Sequence, residues 1–340
     1  ITALKFLTED KRFDVIASGS ALGMAFNRTS SFPVGSVEYI ELTALDFEEF
    51  LWARGIENDI IESVRKHYVE KTKVHTALHL KFLDLLNEYL ILGGMPEVLQ
   101  TFVDSGDYLQ ADAVQRRLHR DYIFDIARFA NPNSKIKAVS CYQSIPQQLS
   151  KENRKFQYSI VERGGTARKF ESSIDWLGSA YFTVVANNIS KIEYPPEHFA
   201  KDNNFKLYTT DIGMLVAMYD VKLKVALMTE KDIDKNSSNL LLRTAKGGLY
   251  ESLAADFLYK KGLRKLYFYR NDAGTIEIEF LIVSDDGIIP LEVKAGRTAT
   301  PSLNKILESE NVTYGIKFAS QNVGVAGKKI TLPFYMMMFL

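Results

Sequence analysis

Two apolar stretches near the C-terminal end, TIEIEFLIV and IIPLEVKAG, joined by SDDG, constrain the fold more than any other part of the chain. In the first, Ile276, Ile278, Phe280 and Ile282 alternate with Glu277, Glu279, Leu281 and Val283, the two-residue period of a strand. Both sets hold apolar residues, so this strand is expected to be covered on both faces while carrying carboxylates on one. Ser284-Asp285-Asp286-Gly287 has tight-turn chemistry and predicts a hairpin. On the return strand Glu292 and Lys294 are two apart and share a face. Unpaired charge is costly to bury. The pair is therefore either a solvated cross-strand ladder on a sheet edge or part of a site.

A third acid favours a site. KGGLYESLAADFLYKKG, from Lys246 to Gly262, reads as a helix ended by Gly262, with Glu251 in its first turns. Helix acid, strand acid, then Glu-x-Lys, in that order, resembles the core constellation of the PD-(D/E)XK nucleases. The resemblance implies a restriction-endonuclease-like α/β fold for residues 201–340. It also implies catalytic roles for Glu251, Glu279, Glu292 and Lys294. Glu279 and Glu292 would ligate Mg²⁺, Glu251 would orient the metal or its water, and Lys294 would stabilise developing phosphorane charge. One departure stands out: that family usually has Asp where this chain has Glu279, and Mg²⁺ tolerates little deviation from octahedral geometry. Glu277 shares the Glu279 face and competes for its role.

Composition sets the outer bounds. The 340 residues suggest two or three domains, and 46% hydrophobic content supplies several cores. Formal net charge is zero, so any nucleic-acid footprint must be local. The single cysteine, Cys141, rules out an internal disulfide framework and reads as a small core hydrophobe. No apolar run approaches the ~20 residues of a membrane span, so no membrane partner is expected and a reducing cytoplasm fits. The terminal LPFYMMMFL reads as a buried closing strand or helix.

At the other end, FDVIASGSALG predicts a buried strand over Phe13 to Ala17, and Val37 to Leu42 a further core strand. Asp46 with Glu49 forms a capping-box pattern, and Gly55 ends that helix. Taken with YLILGGMPEVL, SIPQQLSKENRKFQYS, FKLYTTDIGML and EFLIV–IIPLEVKAG, this order of motifs resembles a prokaryotic AAA-type P-loop ATPase family with an uncharacterised C-terminal region. The resemblance implies an α/β multidomain protein. Its parts would be the remnant of a P-loop ATPase core (1–45), a helical lid-like region (46–108), a winged-helix-like region (109–200) and the nuclease-like end. Ser18 or Ser20 would then sense the γ-phosphate. The phosphate-binding loop and the acidic Mg²⁺ motif would lie upstream of Ile1, so ATP would bind only the intact parent.

Between these ends, Ile56 to Phe102 is helical in pattern, punctuated by Gly93-Gly94, with Pro96 suited to a first turn. His75 and His79 are four apart, but HTALH lacks the glutamate of a zincin, so packing or surface histidines are expected. Ala111 to Ala130 is a further amphipathic helix. Its Arg116, Arg117, Arg120 and Arg128 form either a solvated face or arginine fingers toward a neighbouring subunit. Residues 151–169 are locally basic, and a helix over Thr166 to Gly178 followed by a strand over Phe182 to Ala186 predicts a winged helix. On it Arg154, Lys155, Arg168 and Lys169, with Ser172 and Ser173, are candidates to contact DNA phosphates. A protein partner or self-association is the competing expectation. TEKDIDKNSSN, residues 229–239, reads as a polar connection.

Overall fold

The computed structural model describes residues 6–7, 10, 12–19, 38, 40–130, 135–229, 240–285, 287–295 and 299–340, with backbone alone at 129, 229 and 240–244. Among them are thirteen α-helices and one eight-stranded mixed sheet.

The helical part opens with α1 (Phe47–Ala53), α2 (Asn58–Glu70), α3 (Thr76–Leu92) and α4 (Pro96–Ser105). The capping box forms as expected: the Glu49 N–H donates to Asp46 Oδ1 and the Asp46 N–H to Glu49 Oε2, each at 2.9 Å. Then follow α5 (Tyr108–Phe129), α6 (Lys135–Gln143), α7 (Ile145–Leu149), α8 (Tyr158–Val161) and α9 (Ala167–Ser179). The hairpin of β1 (Thr183–Ile189) and β2 (Ala200–Thr209) comes next, then α10 (Ile212–Ala217) and α11 (Val221–Thr229).

The C-terminal part runs α12 (Leu240–Lys260), β3 (Leu266–Arg270), β4 (Glu277–Ser284), β5 (Gly287–Val293), α13 (Pro301–Leu307), β6 (Gly315–Ala319), β7 (Gly324–Ala326) and β8 (Lys329–Pro333). β3, β4 and β5 form an antiparallel meander, and β6 adds to β5 in parallel after the α13 crossover. The expected hairpin is present, with Ser284 opposite Gly287. α12 packs against β2 and β5, and α13 against β4 and β5.

The sheet order is β2-β1-β3-β4-β5-β6-β8-β7. β1 lies parallel to β3 and antiparallel to β2, so the hairpin after α9 is built into the same sheet as the C-terminal strands. The sheet therefore runs unbroken through the boundary expected at 200/201. The chain closes with a buried 3₁₀ turn, Phe334–Phe339, packed on α1, α2 and α3. The apolar LPFYMMMFL thus joins the helical part to the sheet.

A buried charged junction lies at the same seam. Lys260 Nζ bonds Asp256 Oδ1 at 2.8 Å, Asp211 Oδ2 at 3.0 Å and the Tyr89 hydroxyl at 2.8 Å. Asp211 also accepts the Gly94 N–H at 2.7 Å. A Cβ on Gly94 would sit 2.0 Å from the Leu45 carbonyl oxygen, and one on Gly213 2.5 Å from that of Leu92. The GG and DIG motifs are thus places where two backbones touch.

Two expectations at the N-terminal end fail. Residues 13–19 and 40–42 adopt no strand, and Ile16 is 97% and Leu42 89% exposed. An apolar stretch becomes a buried strand only where neighbouring strands satisfy its backbone and cover it. Among the described residues no strand pairs with either segment. Val37 and Ser20 lie outside the described residues, and Ser18 is exposed.

Candidate functional site: a carboxylate cluster where two strands part

The β4–β5 ladder ends at the Phe280–Leu291 pair. Opposite β3, the register of β4 slips: Tyr267 faces Leu281, yet Tyr269 faces Ile278. Such a bulge bends a strand and re-aims a side chain. The strict alternation expected for this strand is therefore broken. Ile278 and Leu281 pack together with Ile189, Ile288 and Leu303, whereas Phe280 joins the main core against Tyr208. Glu279 sits at the slip, and its Oε2 accepts the Val293 N–H from β5 at 3.2 Å.

Lys294 closes the gap. Its Nζ lies 3.0 Å from Glu279 Oε1 and 3.0 Å from Glu292 Oε1. Burial works against the ammonium, but the two carboxylates push its pKa up to about 12. Burial raises both glutamates, and Lys294 only partly offsets it. Glu292 Oε2 is buried without a hydrogen-bond partner, while the Leu303 backbone N–H and Lys294 act on the same carboxyl and lower its pKa against burial.

Glu251 lies in the middle of α12 rather than in its first turns, and has its own partners. Its Oε1 accepts from Lys206 Nζ at 2.8 Å and the Tyr208 hydroxyl at 2.5 Å, and its Oε2 from Arg154 at 2.5 Å. Desolvation would raise this carboxyl, but Lys206 and Arg154 bring it down to about 2. Lys206 is fully buried and also bonds Glu277 Oε1 at 2.7 Å. Glu277 is therefore spent on Lys206 and Arg270 rather than replacing Glu279.

The structure thus brings Glu279, Glu292 and Lys294 into contact, whereas Glu251 is held by Lys206, Tyr208 and Arg154 and reaches Glu279 only as a charge that raises its pKa. Lys206 and Tyr208 were missed, although FKLYTT carries a lysine in an otherwise apolar strand, which was the available signal. Among the described residues no group of three His, Cys, Asp or Glu is placed to hold an ion.

The expected DNA-facing residues divide. Arg154 turns inward to Glu251, and Lys169 bonds Glu162 at 2.5 Å. Arg168 and Ser172 are exposed and Lys155 is half-buried, whereas Ser173 is buried in the core, contrary to expectation. On α5, Arg116 pairs with Asp112 and Arg117 with Glu97, while Arg120 and Arg128 are exposed. His79 packs inside, its ring nitrogens on the Tyr335 hydroxyl and the Ser320 carbonyl. Cys141 is buried, its thiol pushed up to about 12 by burial. No described helix is long and apolar enough to cross a membrane.

Residues 246–334, which hold α12, the meander and all four site residues, match a family described as Domain of unknown function (DUF4143). That domain accompanies AAA ATPase N-terminal domains. Residues 83–225 match a second family, Domain of unknown function (DUF8612). No curated protein and no solved structure matches the chain.

Proposed function

We propose that this chain carries the nuclease-like end of a prokaryotic P-loop ATPase, and that Glu279 and Glu292, with Lys294 beside them, take a divalent cation to act on nucleic-acid phosphodiesters. The observation that carries this is Glu292 Oε2. A buried carboxylate oxygen without a donor is costly, and such orphans mark ion sites or chemistry. It lies on the third strand of an α-β-β-β-α-β succession, just past the end of the β4–β5 ladder. Glu279 and Glu292 suit a hard cation, and Mg²⁺ there would polarise a phosphate and activate water. Lys294 stays protonated at neutral pH and supplies positive charge beside the anionic substrate. Exposed Arg168 and half-buried Lys155 are available for phosphate contacts. The order of sequence motifs and the DUF4143 match support an ATPase parent.

The test is plasmid cleavage in Mg²⁺ or Mn²⁺, with Glu292→Ala as control. Metal-dependent nicking abolished by the substitution supports the reading; equal nicking by both proteins, or none by either, defeats it.

One observation favours a second reading, a catalytically inactive nuclease fold serving as a protein-contact scaffold. Both oxygens of Glu251 are already neutralised by Lys206, Tyr208 and Arg154. On this reading millimolar metal leaves the melting temperature unchanged, because nothing binds the folded state.

A further inference from the structure

We infer that a notch between the loop after α7 and the end of β3 binds a backbone phosphodiester of a nucleic-acid strand and so positions that strand beside Glu279. The inference rests on the nucleic-acid reading above and adds where the substrate backbone is gripped. The notch has a volume of about 290 Å³ and is lined by Lys151, Glu152, Asn153, Gln157 and Arg270. Every one of these side chains is polar, which suits a charged ligand. Two cations against one acid leave one net positive charge in the lining, the complement of a single phosphodiester.

Hydrogen-bonding capacity in the notch is left over. Among the described residues neither Lys151 nor Gln157 makes a side-chain hydrogen bond. Asn153 Oδ1 accepts the Lys155 N–H at 3.3 Å, and its amide nitrogen is unused. Arg270 reaches only Glu277 Oε2, at 3.6 Å, too long for a hydrogen bond. Ammonium, guanidinium and amide N–H groups are the donors that phosphate oxygens accept from.

The walls are held by two buried amides. Gln148 donates to the Gln157 carbonyl at 3.0 Å and accepts the Gln157 N–H at 2.9 Å. Asn188 treats Arg270 in the same way, accepting its N–H at 2.8 Å and donating to its carbonyl at 3.2 Å. Gln148 and Asn188 are each 1% exposed. A site held ready in this manner loses less conformational freedom on binding. Register ties the notch to the carboxylates: Arg270 pairs with Glu277 across β3 and β4. Glu279 follows two residues along β4, about 7 Å at the usual strand rise.

Fluorescence anisotropy of a labelled DNA oligonucleotide in EDTA reads the notch without metal. Lys151→Glu and Asn153→Asp are each expected to weaken binding by about fivefold or more, and Lys151→Glu to lower the salt slope by about 1. Asn153→Asp keeps the acceptor for the Lys155 N–H, and Lys151 is exposed, so both should fold. Glu152→Gln should tighten binding. Lys81→Glu, the same charge change at an exposed position of α3, should bind like the wild type. Wild-type affinity in Lys151→Glu and Asn153→Asp, equal weakening by Lys81→Glu, or no binding by the wild type overturns the notch. Plasmid nicking in Mn²⁺ on the same proteins separates the two readings. Nicking that Glu292→Ala abolishes and the notch variants leave intact overturns the notch and keeps the cation site. Notch-dependent binding with no nicking by any protein supports the notch and removes the cleavage reading.

Discussion

Arg154 and Glu251 are 97 positions apart in the chain and 2.5 Å apart in space. The contact ties the loop after α7 to the middle of α12, where Glu251 also shares Lys206 with Glu277. The surroundings of the candidate site are thus an alternating charge network, in which each member's worth depends on its partners.

Removing the shared cation is expected to be severe. Lys206→Met leaves Glu251 buried with one cation instead of two, and losing one partner of a buried ion pair costs about 3–5 kcal/mol. Urea unfolding should show that loss as a lower midpoint with an unchanged slope. A change under about 1 kcal/mol would mean that the network contributes little to the native state.

Glu292 should behave in the opposite way. Burial raises its pKa and its Oε2 has no donor, so its ionised form weakens the fold at neutral pH. Lys294 keeps Glu279 as a partner after the change. Glu292→Gln is therefore expected to leave stability unchanged or raise it by about 1 kcal/mol, within the range for an unsatisfied buried group. Differential scanning calorimetry without metal would measure this. A strong fall in melting temperature would place Glu292 among the structural residues.

The acid limb of stability should be dominated by Glu251. Its carboxyl falls from an ordinary 4.5 to about 2 on folding. A lowered pKa gives stability that is complete above the ordinary value and lost as pH falls toward the folded one, here about 3 kcal/mol between pH 4.5 and 2. Asp256 acts in reverse: burial, reinforced by Asp211 and opposed by Lys260, raises it from 3.8 to about 6. Its contribution is present below pH 3.8 and lost as pH rises to 6. Denaturation curves at stepped pH should show Glu251→Gln flattening the acid limb and Asp256→Asn removing a decline between pH 4 and 6. Unaltered profiles in both variants would refute the assignment.

At the junction of helices and sheet, Gly213→Ala puts a Cβ 2.5 Å from the Leu92 carbonyl oxygen and 2.8 Å from the Gly93 Cα. Neither partner is a flexible side chain that can move aside. About 3 kcal/mol of destabilisation is expected, with amide exchange fastest in α10 and at the C-terminal end of α3. Wild-type stability would show that the two backbones separate without cost.

The β4–β5 hairpin was legible because it rests on local rules: period two along β4 and β5 and a turn at Ser284 to Gly287. The same rules misjudged Phe13 to Ala17, since an apolar period says what a segment would bury but not whether anything covers it. They also passed over the bulge at Glu279, which exists only because β3 and β4 pair out of step.

The sequence by itself determined the capping of α1 and the β4–β5 hairpin, because those depend on neighbours a few residues away. Only the tertiary structure decided that Arg154 faces a carboxylate instead of solvent, that Lys206 is buried between two acids, and that β1 and β2 extend the C-terminal sheet. Each of these pairings joins residues tens of positions apart. Their energy arises from desolvation and close approach, which no local pattern encodes.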